Sequence, residues 1–292
     1  MEKVDLSTEA HHELCHTQVS ARCKRRIVIA VRWKTIITML GSLIALFSAC
    51  GGTPQPVSTA SNFPHLRIAR YSATVKVQTG KVMSVSVSCK PGEQMLGGGF
   101  ISSDLFEYAA SIEASYPSSA MTWTVTGSAP FSFFDVEAQV YCFQAKVPLG
   151  IHIVRATGIP AAKVACPPGT VLLSEGFQSS QSIGVSRPQS NGWMSASAGA
   201  SIQEYALCAA SHVLRGQVVT SVFNPHSSSH SYAPGGSRVV CPAGQVATGG
   251  RFEGENVILE SHTTGTAFTG WSVAAGGDAD MTISAVCVVL QG

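Results

Sequence analysis

Beyond about residue 66 the chain is written in short runs of period two. "VMSVSVSC" (Val82–Cys89) sets Val against Ser on opposite faces, the mark of a half-buried β-strand. "HIVRA" (152–156) and "GQVVTSV" (216–222) read the same way. "QMLGGGF" (94–100) is apolar and broken by glycine, which fits a strand with a bulge or a close backbone approach. No long amphipathic helix is visible. "EYAASIEA" (107–114) is the one stretch a helical turn would fit, and the pattern leaves it undecided.

These runs recur in threes. "CKPGEQMLGGGF" begins at Cys89, "CPPGTVLLSEGF" at Cys166 and "CPAGQVATGGRF" at Cys241, 77 and 75 residues apart. Gly92, Gly169 and Gly244 share one offset from the Cys, and Phe100, Phe177 and Phe252 share another. Each unit holds one Trp (Trp123, Trp193, Trp271) that opens a strand-like run, preceded by Ser115, Ser186 and Ser261 at eight, seven and ten residues. Each closes on an apolar strand ending in Cys: "AQVYC", "EYALC", "ISAVC". Internal repetition of this kind is read before any single motif. It predicts an all-β body of three pseudo-equivalent antiparallel repeats, at about 66–145, 146–212 and 213–292, with about five strands each. Small units of one type bury too little alone and pack together. The repeat also selects a disulfide pairing, Cys89–Cys142, Cys166–Cys208 and Cys241–Cys287. Phe100, Phe177 and Phe252 are expected in the core.

The first 65 residues are of another kind. Arg32 and Lys34 precede a fifteen-residue apolar run, Thr35 to Ala49, followed by Cys50. A charged flank, a short apolar segment and small residues at a cut make a secretory signal, and the run is shorter than the ~20 residues of a membrane span. "LFSAC" resembles the lipobox of bacterial lipoproteins, which implies cleavage, lipid on Cys50 and anchoring to a bacterial membrane outside the cytoplasm. Residues 1–49 are then an N-terminal extension and signal peptide that are removed, with the initiator expected near Val31. On that view the "HHELCH" cluster (His11, His12, Cys15, His16) lies outside the mature protein. Residues 50–65, rich in Gly, Pro, Ser and Thr, read as a flexible tether.

Charge narrows the partners. Only 12% of residues are charged, against about 25% in an ordinary domain. Seven of the 19 Lys and Arg lie within residues 1–49, which leaves the body near neutral. That balance excludes the basic face nucleic-acid binding needs.

Cys166-Pro167-Pro168-Gly169, Cys241-Pro242-Ala243-Gly244 and Cys89-Lys90-Pro91-Gly92, each unit closed by a Cys on a final strand, resemble the vitelline membrane outer layer protein family. The pattern is also similar to uncharacterised secreted repeat domains of soil bacteria. The first resemblance implies a β-prism, three antiparallel sheets about a pseudo-threefold axis, with a structural or carbohydrate-facing role. Of that family's acidic stretch before the closing strand, only Asp278 and Asp280 have counterparts here.

The sequence holds no Gly-x-Ser-x-Gly elbow, no His-Glu-x-x-His and no phosphate-binding glycine loop opening a helix. Glu253, Glu255 and Glu260, and Asp104 and Glu107, are the acid clusters available to a glycosidase-like pair. His226 and His230 in "HSSSH", and Asp278 and Asp280 in "GDAD", read as solvated loops and not as metal sites. The expectation is a protein without cofactor or metal and without catalysis: a cell-envelope lipoprotein that binds polysaccharide or has a structural role. An envelope hydrolase with an unrecognised acid pair is the alternative. Ligand-binding candidates are Trp123, Trp193 and Trp271, whose rings either stack on sugars or fill the core, and Phe131, Phe133 and Phe134, which form a contact patch if exposed.

Overall fold

The computed structural model describes residues 67–103, 111–144, 147–181, 183–212, 214–224, 237–253, 257–276 and 281–290. Cys50 and the segments 1–49 and 50–65 lie outside them. So do Asp104, Glu107, His226, His230, Glu255, Asp278 and Asp280.

Eighteen strands and no helix occupy the described residues. The first repeat holds β1 (Ile68–Val77), β2 (Lys81–Ser88), β3 (Gln94–Ser102), β4 (Ser111–Ser119), β5 (Thr122–Ala129) and β6 (Phe134–Phe143). The second holds β7 (His152–Gly158), β8 (Ala161–Ala165), β9 (Thr170–Ser179), β10 (Ile183–Gln189), β11 (Gly192–Ser197) and β12 (Ile202–Ala210). The third holds β13 (Leu214–Asn224), β14 (Ser237–Val240), β15 (Val246–Glu253), β16 (Val257–Thr264), β17 (Gly270–Gly276) and β18 (Met281–Leu290). Six strands per repeat is one more than the pattern suggested. The fourth strand of each repeat is the hardest to read, because Pro117, Pro188 and polar residues interrupt its alternation. The undecided stretch around Ser111–Ala114 is extended and belongs to β4.

The strands form three antiparallel six-stranded sheets, and no sheet is made by one repeat. The first sheet runs β1-β6-β3-β16-β17-β14, the second β7-β12-β9-β4-β5-β2, and the third β13-β18-β15-β10-β11-β8. Each therefore joins strands one, six and three of one repeat to strands four, five and two of another, in a cyclic exchange. The seams are the β3–β16, β9–β4 and β15–β10 pairings. The exchange explains why three small repeats make one body: each gives half its strands away, and none can complete a sheet alone.

Each chain path crosses between sheets at two ends. At one end stand the Cys turns, where Glu93 N–H donates to Lys90 O at 3.0 Å, and Thr170 to Pro167 and Gln245 to Pro242 at 3.1 Å. Gly92, Gly169 and Gly244 hold φ of +86°, +79° and +83°, the position-three conformation of a type II turn. At the opposite end, called here the loop end, lie the β1–β2 and β5–β6 connections. β1 starts at the cysteine end and runs to the loop end, about 33 Å for ten residues.

The three disulfides are those the repeat predicts. Each first Cys follows a strand of one sheet and each second Cys sits in a strand of the next, so all three sheet corners are stapled: β2 to β6, β8 to β12, β14 to β18.

The core fills with the repeated aromatics. Trp123, Trp193 and Trp271 are the largest fully buried side chains, and Phe100, Phe177 and Phe252 are buried beside them. The glycine-broken strands supply both features expected of them. β3, β9 and β15 share a register shift at one site, leaving Leu96, Leu173 and Thr248 as the extra residues. Two of these strands also receive a Trp ring from a neighbouring strand against a glycine. A Cβ on Gly98 would lie 2.3 Å from the Trp123 ring, and one on Gly250 2.5 Å from that of Trp271.

Candidate functional site

The three Trp, offered by the sequence as sugar-stacking residues or core, are core. Their indole N–H groups donate to the serines the repeat had marked: Trp123 to Ser115 at 3.0 Å, Trp193 to Ser186 at 2.8 Å and Trp271 to Ser261 at 3.0 Å. A buried indole needs a partner for its one donor, and the serine hydroxyl is that partner in every repeat. Rings enclosed on both faces cannot stack on a ligand, so the three leave the set of binding candidates.

The aromatic patch divides. Phe134 is 3% exposed and belongs to the core, because it opens β6 opposite Val77. Phe131 and Phe133 are 79% and 66% exposed in the β5–β6 connection. The Lys76 ammonium stands 4.9 Å from the Phe133 ring centre and 4.0 Å from Asp135. Val82, also exposed, lies in β2 opposite Ser128. The matching connection of the second repeat is Ala198-Gly199-Ala200-Ser201, with no aromatic. The two exposed rings are thus an addition to one repeat and not a requirement of the fold.

Sequence reading missed a buried charge cluster. Aligned on the Cys, Gly98 and Gly250 correspond to Glu175, Gly99 and Gly176 to Arg251, and Ala138 and Ile283 to Glu204. All three charged groups are buried. Glu175 Oε1 accepts from Arg251 Nε and from Gly250 N–H, both at 3.1 Å. Arg251 Nη2 donates to Ser115 O at 3.2 Å and Glu175 O at 3.3 Å, and the guanidinium lies 4.5 Å from the Phe177 ring centre. Neither carboxyl oxygen of Glu204 has a well-placed partner, although Ser195 is its neighbour. Burial pushes Glu175 above the ordinary carboxyl range, against the pull of Arg251. Burial pushes Glu204 up further, with Ser195 and Arg251 opposing and Glu175 adding to the rise. One guanidinium, always protonated, faces two carboxyls. Glu175 carries the ion pair, and burial raises Glu204 the further of the two.

This has a sign that can be measured. With its folded pKa raised, Glu204 keeps in the folded state a proton that the unfolded chain releases above about pH 4.3. Its contribution to stability is therefore largest below that pH and declines as pH rises toward the folded value. Glu175, also raised, acts in the same direction. Glu204→Gln should equal the parent near pH 4 and exceed it at pH 8 in urea unfolding. An unchanged gap across that range would show that Glu204 is ionised in the fold.

The remaining acid candidates among the described residues form a partly exposed pair and a half-buried pair. Glu253 pairs with Arg187 at 3.3 Å and Glu260 with His262 at 3.3 Å. Among the described residues one cluster has metal-ligand spacing, Cys89, Glu93 and Cys142, and its two cysteines are joined in a disulfide.

A second missed feature is a polar trough on the outer face of the second sheet. It is open, about 430 Å³, and lined by Glu113, Thr126, Thr157, Gln178 and Gln203 with serines at its rim. Beside it Tyr116 and Tyr205 stack with ring centres 4.8 Å apart and planes at 24°. These residues come from two repeats and look like a plain solvent face in sequence; the strand exchange assembles them. No family model matches the sequence, and no curated protein matches it.

Proposed function

We propose that the chain is a non-catalytic binding module of the cell envelope, lipidated at Cys50 and taking polysaccharide at the loop end of its body. The observation that carries this reading is the exposed pair Phe131 and Phe133, present in one repeat and absent from the matching connection of the second. Two large apolar rings left in water at a tip, with the fold already satisfied without them, are the mark of a contact surface. The direction of the chain supports it. The described body begins at the cysteine end and the two rings lie at the other, so they stand far from the point where β1 begins. Three disulfides agree with an oxidising compartment. Among the described residues Glu175 and Glu204 are two carboxyls that act on each other, and both are buried away from any polymer.

The test is retention of the oxidised body on insoluble polysaccharides and isolated cell walls, with sugar analysis of the supernatant. Residues 59–292 suffice, since all eighteen strands and the three disulfides fall within this compact unit. Retention without released sugar is expected, weakened about tenfold, or 1.4 kcal/mol, by Phe131→Ala with Phe133→Ala at unchanged melting temperature. Released fragments would make the protein an enzyme and end this reading.

A further inference from the structure

The trough on the second sheet has an order that the pocket alone does not convey. Thr126 pairs with Ala114, Ala114 with Gln178, Gln178 with Gln203 and Gln203 with Thr157. Five strands thus place these residues in one row across the sheet. At about 4.8 Å per strand the row is about 19 Å long, the reach of a short oligosaccharide. The neighbouring row supplies a wall. Tyr205 pairs with Gly176, and a Cβ on Gly176 would lie 2.6 Å from Tyr116 Cα. The missing side chain lets β4 close on β9 and the two tyrosines meet. The Tyr205 hydroxyl donates to Gln203 Oε1 and stands 3.3 Å from Gln178 Oε1. Its single proton holds the Gln203 carboxamide by the oxygen end and leaves that amino end as a donor.

Neither of the other two sheets repeats this arrangement. In the third sheet Arg187 takes the place of Tyr116 and Glu253 that of Gln178, and the two neutralise each other at 3.3 Å. In the first sheet His262 takes the place of Tyr116 and is bound to Glu260, while Glu137 and Gln139, in the places of Gln203 and Tyr205, bond to each other at 2.9 Å. At these matching positions the polar groups of the other two faces bond to one another. The second sheet presents amides and hydroxyls, fixed by a tyrosine pair, in a concave row.

We propose that this trough is a glycan subsite for a neutral, hydroxyl-rich sugar chain lying across the five strands. The inference rests on the polysaccharide reading above and names a site for it distinct from Phe131 and Phe133. The chemistry selects the class. Amide and hydroxyl groups offer donors and acceptors together, which match vicinal hydroxyls, and an apolar sugar face has the half-buried Tyr116 ring, backed by the buried Tyr205, to lie against. Glu113 is the charged group of the lining, and no Lys or Arg joins it. Arg155 stands outside, opposite Tyr205 in the next row. A polyuronate would meet a carboxylate without a facing cation. Because the other two sheets carry different side chains at the matching positions, there is one such site per molecule and not three.

The experiment is affinity electrophoresis of the oxidised body, residues 59–292, in hydroxyethyl cellulose, soluble β-1,3-glucan, mannan or polygalacturonate. Retardation by at least one neutral polymer and none by polygalacturonate is expected. Gln178→Ala with Gln203→Ala should weaken that retardation at least tenfold, and the exposed Gln178→Ala alone should weaken it with a melting curve matching the parent's. Glu113→Gln should admit polygalacturonate, a gain that a damaged fold does not produce. Neutral binding that survives the glutamine changes but falls with Phe131→Ala and Phe133→Ala overturns the trough and keeps the module. Preference for polygalacturonate overturns the trough alone. Absence of binding to every polymer, together with no retention on cell walls, overturns both.

Discussion

Arg251→Met is expected to destabilise the body by about 3–5 kcal/mol, the range for removing one partner of a buried ion pair. Arg251 neutralises Glu175 at 3.1 Å, ties β15 to Ser115 of β4 and to the backbone of β9, and lies against Phe177. Those strands belong to the third and second sheets, so one side chain joins two sheets where they meet in the core. Methionine fills much of the volume but leaves Glu175 with only the Gly250 N–H. Glu175 must then protonate or remain a buried unpaired anion. The second half of the prediction separates charge from packing. Glu175→Gln added to Arg251→Met should recover at least half of the loss, because the orphaned charge is gone. Urea unfolding of the four forms, taken as a double-mutant cycle, reads both. A cost below about 1 kcal/mol for Arg251→Met would show that the ion pair does not hold the seam.

What sequence reading recovered is what the chain repeats. The cysteines, the turn glycines and the Trp with their serines occur three times, and recurrence turned weak local signals into an all-β architecture with a definite disulfide set. The strand exchange was not legible. Glu260 pairs with Ile101 across most of the body, and nothing local to either residue records it. Without that exchange the trough could not be seen either, since Tyr116 and Tyr205 are 89 residues apart and read singly as half-exposed strand positions. The buried charges had a visible trace: Glu175 and Arg251 stand where other repeats have glycine, and Glu204 where they have Ala138 and Ile283. Departures from an internal repeat point to what one unit does differently, and the second repeat contributes to both the charge cluster and the trough. The aromatic candidates show the opposite lesson. The Trp recur because the core needs them, whereas Phe131 and Phe133 do not recur and are exposed.

Reduction of all three disulfides is expected to unfold the body at 25 °C. The closed loops span 53, 42 and 46 residues and do not overlap along the chain. In the chain-entropy description a loop of this size restricts the unfolded state by about 4 kcal/mol, and native disulfides commonly contribute about 2–5 kcal/mol. Separate loops act on separate stretches of the unfolded chain, so their effects add. Together they approach or exceed the ~5–15 kcal/mol that holds an ordinary domain folded. The architecture sharpens the expectation. Each staple closes a different corner between sheets, and each repeat depends on a neighbour for half of each of the two sheets it enters, so opening one corner loosens the seams beside it. Single Cys-pair removal, such as Cys166→Ala with Cys208→Ala, should therefore cost about 2–5 kcal/mol and leave one cooperative transition. Full reduction should abolish the transition and expose the three buried indoles, read as a red shift in tryptophan fluorescence. A reduced body that keeps a cooperative melt with its tryptophans still buried would show that strand exchange alone carries the fold.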